Sequence, residues 1–149
     1  MEIERKYLIH TLPDHLEDYP HRTLEQAYLC TEPVVRVRRD DNDYILTYKS
    51  KGLMVREEYN LPLTEEAYRH LLVKADGRII TKERYCIPYG DHLTVELDVF
   101  DGDLAPLLLA EVEFASEKEA NAFTPPAWFG EDVTFSSKYH NSTLSQKKD

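Results

Sequence analysis

Three side chains capable of ionic chemistry stand at alternate positions in the opening MEIERKYL: Glu2, Glu4 and Lys6. In an extended strand such residues share one face, roughly 6.5–7 Å apart. Carboxylates on one face can hold a hard divalent cation through oxygen, and an ammonium beside them can hold a phosphate oxygen. The same alternation recurs along the chain. One parity carries Arg36 and Arg38; Thr47 and Lys49; Arg56, Glu58 and Asn60; Lys82 and Arg84; Glu96 and Asp98; Glu111 and Glu113. The opposite parity is far more apolar, as in Val35 and Val37, Tyr44, Leu46 and Tyr48, Val95, Leu97 and Val99, and Ala110, Val112 and Phe114.

For any single strand a charged face means contact with water. Here the charges are grouped by sign, with cations at Arg36, Arg38, Lys49, Lys82 and Arg84 and anions at Glu2, Glu4, Glu96, Asp98, Glu111 and Glu113. A face serving solubility alone would intersperse the signs. Clustered guanidinium and ammonium groups suit phosphate oxygens, Arg through a two-point fork and Lys as a point charge. A short chain of linked phosphates with its divalent cations would engage both halves of such a set. Mutual neutralisation in internal ion pairs is the structural alternative, and desolvation makes it a weak source of stability.

These side chains need elements to position them. Alternating segments run over roughly 1–9, 22–31, 33–40, 43–51, 54–62, 78–88, 93–101 and 107–115, with turn-forming DDND, SKG, ADG, YGD and DGD between several of them. Helices are expected over 12–19, over 64–75 behind Thr64 as N-cap, and over 116–123, where Ser116 and Glu119 form a capping box. The tail after Gly130 reads as a short strand, a helical turn and a frayed end whose Lys147 and Lys148 are solvated. The pattern predicts an α+β, mainly β, chain: an eight-stranded antiparallel β-barrel with the ionic parity inside, lining a wet tunnel, and helices packed outside. Closure also removes exposed strand edges.

Bulk properties agree. The 149 residues are 42% hydrophobic and 31% charged, which suits one domain over 1–149 with a real core. No run approaches the ~20 apolar residues of a membrane span, and no basic-then-apolar leader opens the chain. A net charge of −10 argues against nucleic acid or an anionic membrane as partner. A small polyanion stays compatible, because local cations decide what a pocket holds. Two cysteines make no disulfide framework and point to a reducing compartment, the cytoplasm. By parity Cys30 and Cys86 are expected to face the lumen as small space-filling residues. Six scattered histidines show no HxH or HExxH pair. The Asn-Ser-Thr at 141–143 reads as a chance sequon, and Trp128 as an anchor for an exterior loop.

Laid out this way, the chain resembles the CYTH superfamily, the triphosphate tunnel metalloenzymes. MEIERKYL carries the ExExK signature, and QAYL, VRVR, LTYKSKG, VREEY, TKERYCIPY, VELDVFDG, LLAEVEF and VTFSSKYHNSTL follow in family order, so the likeness runs nearly end to end. The resemblance implies that Lys6, Arg36, Arg38, Lys49, Arg56, Lys82, Arg84 and Lys138 hold the triphosphate. It implies Glu2, Glu4, Glu111 and Glu113 as metal ligands, with Asp98, Glu58 and Glu96 contributing directly or through water. Tyr28 and Lys82 match positions associated with the attacking water. Asn60 stands where short bacterial relatives often have another Glu, and Cys86 replaces a frequent Tyr. The expected activity is hydrolysis of a small-molecule triphosphate, inorganic tripolyphosphate above others, with Mg²⁺ or Mn²⁺, by a monomer or homodimer. The rivals are a class IV-type adenylate cyclase and a polyphosphate-binding module without turnover.

Overall fold

The alternation becomes an antiparallel ladder. The computed structural model describes residues 1–146, so Lys147 and Lys148 lie outside the described residues. Nine strands, β1 (Glu2–Leu8), β2 (His21–Thr31), β3 (Val34–Asp40), β4 (Asp43–Lys49), β5 (Val55–Arg56), β6 (Glu58–Leu63), β7 (Asp76–Tyr89), β8 (Leu93–Phe100) and β9 (Leu108–Glu113), form one sheet ordered β5-β1-β9-β8-β7-β2-β3-β4-β6. The two outermost strands are neighbours in the chain, separated only by Glu57. The expected strand over 54–62 therefore pairs with β1 at one end, Glu2 opposite Arg56, and with β4 at the other, Lys49 opposite Glu58. Its backbone turns aside at Glu57, which exchanges bonds with Ser50 instead: Ser50 N–H donates to the Glu57 carbonyl (3.0 Å) and Glu57 N–H to Ser50 Oγ (2.9 Å). The expected eight strands thus become nine through one interruption, and the ring is nearly closed.

The hydrophobic core lies outside this ring. Ile87, Val95, Leu97, Ala110, Val112 and Phe114 point outward and pack with Ala120 of the helix α2 (Glu117–Ala122) and with Phe123, Trp128 and Phe129 of the loop after it. On the other flank, α1 (Glu65–Leu72) lays Tyr68 over Ala27 and Val37. Thr64 caps α1 by accepting from the Ala67 amide, and Ser116 caps α2 by accepting from the Glu119 amide. The expected capping box is only half made, because the Glu119 carboxylate engages His92. The expected helix over 12–19 shrinks to a 3₁₀ turn at Leu16–Asp18, since His15 sits at φ 57° and breaks helical continuity.

A third helix, α3 (Asn141–Gln146), lies across one end of the barrel. Gly77 lets it dock on β7: with φ +82°, a Cβ there would come 2.4 Å from the Ser145 carbonyl oxygen. Leu144 of α3 and Val133 join the buried Ile80, Phe100 and Leu109, with Leu8 packed against them. Those four strand residues share the parity of Lys82, Asp98, Glu111 and Lys6, so the inner face changes from ionic to apolar at this end and gains a floor. Among the described residues, no helix is long and apolar enough to cross a membrane.

Candidate functional site

Inward parity delivers the ionic side chains to one cavity of about 580 Å³. Its walls include Glu2, Glu4, Lys6, Tyr28, Arg36, Arg38, Lys49, Arg56, Glu58, Arg84, Glu96, Glu111 and Glu113, thirteen of the residues expected there from sequence. Register explains the convergence. Glu4 stands opposite Glu113, Lys6 opposite Glu111, Glu96 opposite Glu111, Arg84 opposite Asp98, Tyr28 opposite Arg36 and Lys49 opposite Glu58. Each strand therefore hands its charges to the next around the ring. Thr94 and Glu113, at the ends of β8 and β9 away from the floor, are exposed and belong to the mouth.

The lumen cations fall into two classes. Lys49 lies 3.0 Å from Glu2 and 3.3 Å from Glu58, Lys6 lies 3.8 Å from Glu111, and Arg84 lies between Asp98, Glu96 and Glu111. Burial works against the Arg84 charge, but Asp98 and Glu96 outweigh it and hold the guanidinium firmly protonated. By contrast, Arg36, Arg38 and Arg56 have no carboxylate partner among the described residues. Arg36 Nη2 donates to Thr47 (3.2 Å), Arg38 donates twice to Gln26, and Arg56 Nε donates to the Ser50 carbonyl (3.3 Å). These three guanidiniums carry the positive charge open to an anionic ligand.

The carboxylates are unevenly provided for. Burial, reinforced by Glu111 and Glu2, raises the Glu4 carboxyl well above the ordinary range. Burial also raises Glu2 despite Lys49, and raises Glu113 with help from Glu2 and Glu58. Burial pushes Glu111 up, yet Lys6, Arg84 and Lys82 outweigh it and keep Glu111 well below the usual value. Glu111 Oε1 is buried without a hydrogen-bond donor among the described residues. Crowded, mutually repelling carboxyls and an orphaned acceptor fit a divalent cation. No three such groups are gathered in coordinating geometry among the described residues.

Three expected site residues do not line the cavity. Lys138 is exposed, with its ammonium 5.3 Å from the centre of the Tyr139 ring. Lys82 and Asp98 are fully buried in the wall; Lys82 Nζ lies 2.7 Å from Asp98 and donates to Asn141 Oδ1 at 3.2 Å. Burial drives the Lys82 amine down to about 7 although Asp98 pulls it up. Burial raises the Asp98 carboxyl, but Arg84 and then Lys82 more than reverse this. Cys86 faces inward at Arg22, whose Nη1 lies 3.3 Å from its sulfur. Cys30 departs from expectation: a bulge at Leu29 pairs Cys30 with the outward-facing Val35 and leaves it exposed.

Sequence reading passed over other lining residues, namely Arg22, His92, Thr94, His140, Asn141 and Ser142. Arg22 shares the parity of Gln26 and Tyr28 and was legible. His140, Asn141 and Ser142 come from the junction between a 3₁₀ turn (Ser137–Tyr139) and the start of α3, where no strand period reveals them. Burial and the Lys6, Arg56 and Lys49 charges lower His140 to about 4, so it faces the lumen as neutral imidazole.

Comparison with known proteins agrees with this geometry. The sequence model of the CYTH domain matches residues 1–148. The chain is 43% identical over 148 residues to the inorganic triphosphatase of Nitrosomonas europaea, covering 97% of this chain and 96% of that protein. A crystal structure of an inorganic triphosphatase superposes with a TM-score of 0.74 at 39% identity, covering 99% of this chain and 96% of the other. A protein from Hippeastrum, described as having a dominant triphosphatase activity, shares the fold at a TM-score of 0.64 and 14% identity, over 81% of this chain and 83% of that one.

Proposed function

The chain belongs to the CYTH domain family, and from that premise we propose that it is an inorganic triphosphatase, hydrolysing tripolyphosphate to diphosphate and phosphate with Mg²⁺ or Mn²⁺. One observation carries the reading: a single lumen holds three guanidiniums without carboxylate partners among the described residues, beside a cluster of carboxylates that repel one another. A phosphate binder alone would need the first and not the second.

Phosphoryl transfer asks a protein chiefly for positioning and charge neutralisation. Arg36, Arg38 and Arg56 hold the phosphate chain by forked donation, and Lys6, Lys49 and Arg84 add charge while orienting the carboxylates. Glu2, Glu4, Glu111 and Glu113, with Glu58 and Glu96 nearby, would hold the divalent cation, which supplies Lewis-acid neutralisation of phosphate oxygens and acidifies water. Asp98, sealed in the wall, acts through Lys82 and Arg84. Tyr28 lines the lumen and orients the attacking water. Lys82, lowered to about 7, has an amine matched to acid–base work at neutral pH, and it meets the lumen lining through Asn141, whose Oδ1 accepts from its Nζ. Lys138, being exposed, has no part in holding the substrate in this arrangement.

The test is a panel: phosphate and cyclic nucleotide release from tripolyphosphate, ATP and thiamine triphosphate, each with Mg²⁺ and with Mn²⁺. Metal-dependent phosphate release fastest from tripolyphosphate is expected. Faster turnover of ATP or thiamine triphosphate would reassign the substrate, cyclic AMP would make the protein a cyclase, and tight binding without product would make it a sensor.

A further inference from the structure

Gln26 is fully buried on β2, facing inward opposite Arg38 of β3. Its Oε1 accepts from Arg38 Nε at 2.8 Å and from Nη2 at 2.5 Å, a two-point grip on one edge of the guanidinium. A guanidinium has donors only, so the amide oxygen must face it. That fixes the amide, and its Nε2 is left buried with no acceptor among the described residues. Locally, glutamate would be the better side chain: the same size, acceptors on both oxygens, no orphaned donor, and a charge to match Arg38. It would also neutralise Arg38, as Asp98 and Glu96 neutralise Arg84.

We propose that Gln26 is a positioning residue for the proposed triphosphatase reaction, aiming the Arg38 fork at substrate phosphate while leaving its charge uncompensated. The inference rests on the reading of the preceding section. The surroundings of Arg38 agree with it. Burial lowers the guanidinium to about 9, with Arg36 and Arg84 adding to the effect and Tyr28 and Asp98 opposing it. An anionic ligand relieves that strain; a built-in carboxylate would relieve it beforehand and remove the incentive to bind.

The experiment compares Gln26→Glu, Gln26→Met and Arg38→Ala by thermal unfolding, by calorimetric titration with tripolyphosphate, and by kcat and KM. Gln26→Glu should unfold no earlier than the parent chain yet bind tripolyphosphate at least tenfold more weakly, with the loss in KM rather than kcat. Gln26→Met should weaken binding less, and should add nothing when Arg38 is already alanine, as a double-mutant cycle reveals. Unchanged affinity in Gln26→Glu, or additive losses in the cycle, would overturn the inference. If the unaltered chain itself binds no tripolyphosphate, the functional reading falls and this inference with it. Binding by the unaltered chain that Gln26→Glu leaves intact sinks the inference alone.

Discussion

Asp98→Asn isolates the electrostatics of the barrel wall. The Asp98 carboxylate is inaccessible to solvent and serves two cations at once, Lys82 at 2.7 Å and Arg84 at 2.8 and 2.9 Å. The asparagine fills the same space but leaves both cations without their main counter-charge. Removing one partner of a buried ion pair costs on the order of 3–5 kcal/mol. For a chain of 149 residues each kcal/mol moves Tm by about 2–4 °C, so Tm should fall by roughly 6–20 °C. Saturating tripolyphosphate should recover part of that fall, because a ligand at 100 times its Kd adds about 2.7 kcal/mol and here supplies the missing negative charge. The assay is thermal unfolding with and without tripolyphosphate, in the absence of divalent metal. A fall of less than about 3 °C without ligand, which is below about 1.5 kcal/mol, would show that Asp98 is not the counter-ion holding this wall together.

Three further outcomes follow from individual side chains. Glu4→Gln resembles the protonated acid that burial already favours in the empty lumen; Tm should hold while metal-dependent turnover falls on the order of 100-fold, about 2.7 kcal/mol, and near-normal turnover would remove Glu4 from the metal set. His140 is lowered from 6.5 to about 4, so between those values the unfolded chain binds the extra proton and stability is lost as pH falls through the window. His140→Gln should therefore flatten the stability profile between pH 6.5 and 4 by on the order of 1–3 kcal/mol after solvent screening, as denaturant titration at stepped pH would measure. Thr64→Ala removes the acceptor for the Ala67 amide and should destabilise by about 1 kcal/mol without changing KM.

Much of the lumen was legible because the strand period is two and the barrel keeps it: Lys6, Arg36, Lys49, Glu111 and Glu113 arrive where alternation sends them. Reading failed where the period slips. The bulge at Leu29 reverses Cys30, and the break at Glu57 divides one strand into two. Burial depth was not legible either. Lys82 and Lys138 both read as phosphate ligands, but one lies wholly inside the wall and the other on the surface. His140 and Asn141 reach the lumen from the join between a 3₁₀ turn and α3, which no strand alternation can announce. The pairing of cations with carboxylates depends on register across strands far apart in sequence, as with Lys49 and Glu2.

The greasy patch made by Leu8, Ile80, Phe100 and Leu109 beneath α3 governs traffic. Crossing such a patch would strip a hydrated anion of its water with no polar group to replace it, so along this flank the bore is barred and traffic must use the charged side. Under the proposed reaction, fragments leaving by the charged side would compete with incoming substrate, and added diphosphate should slow turnover.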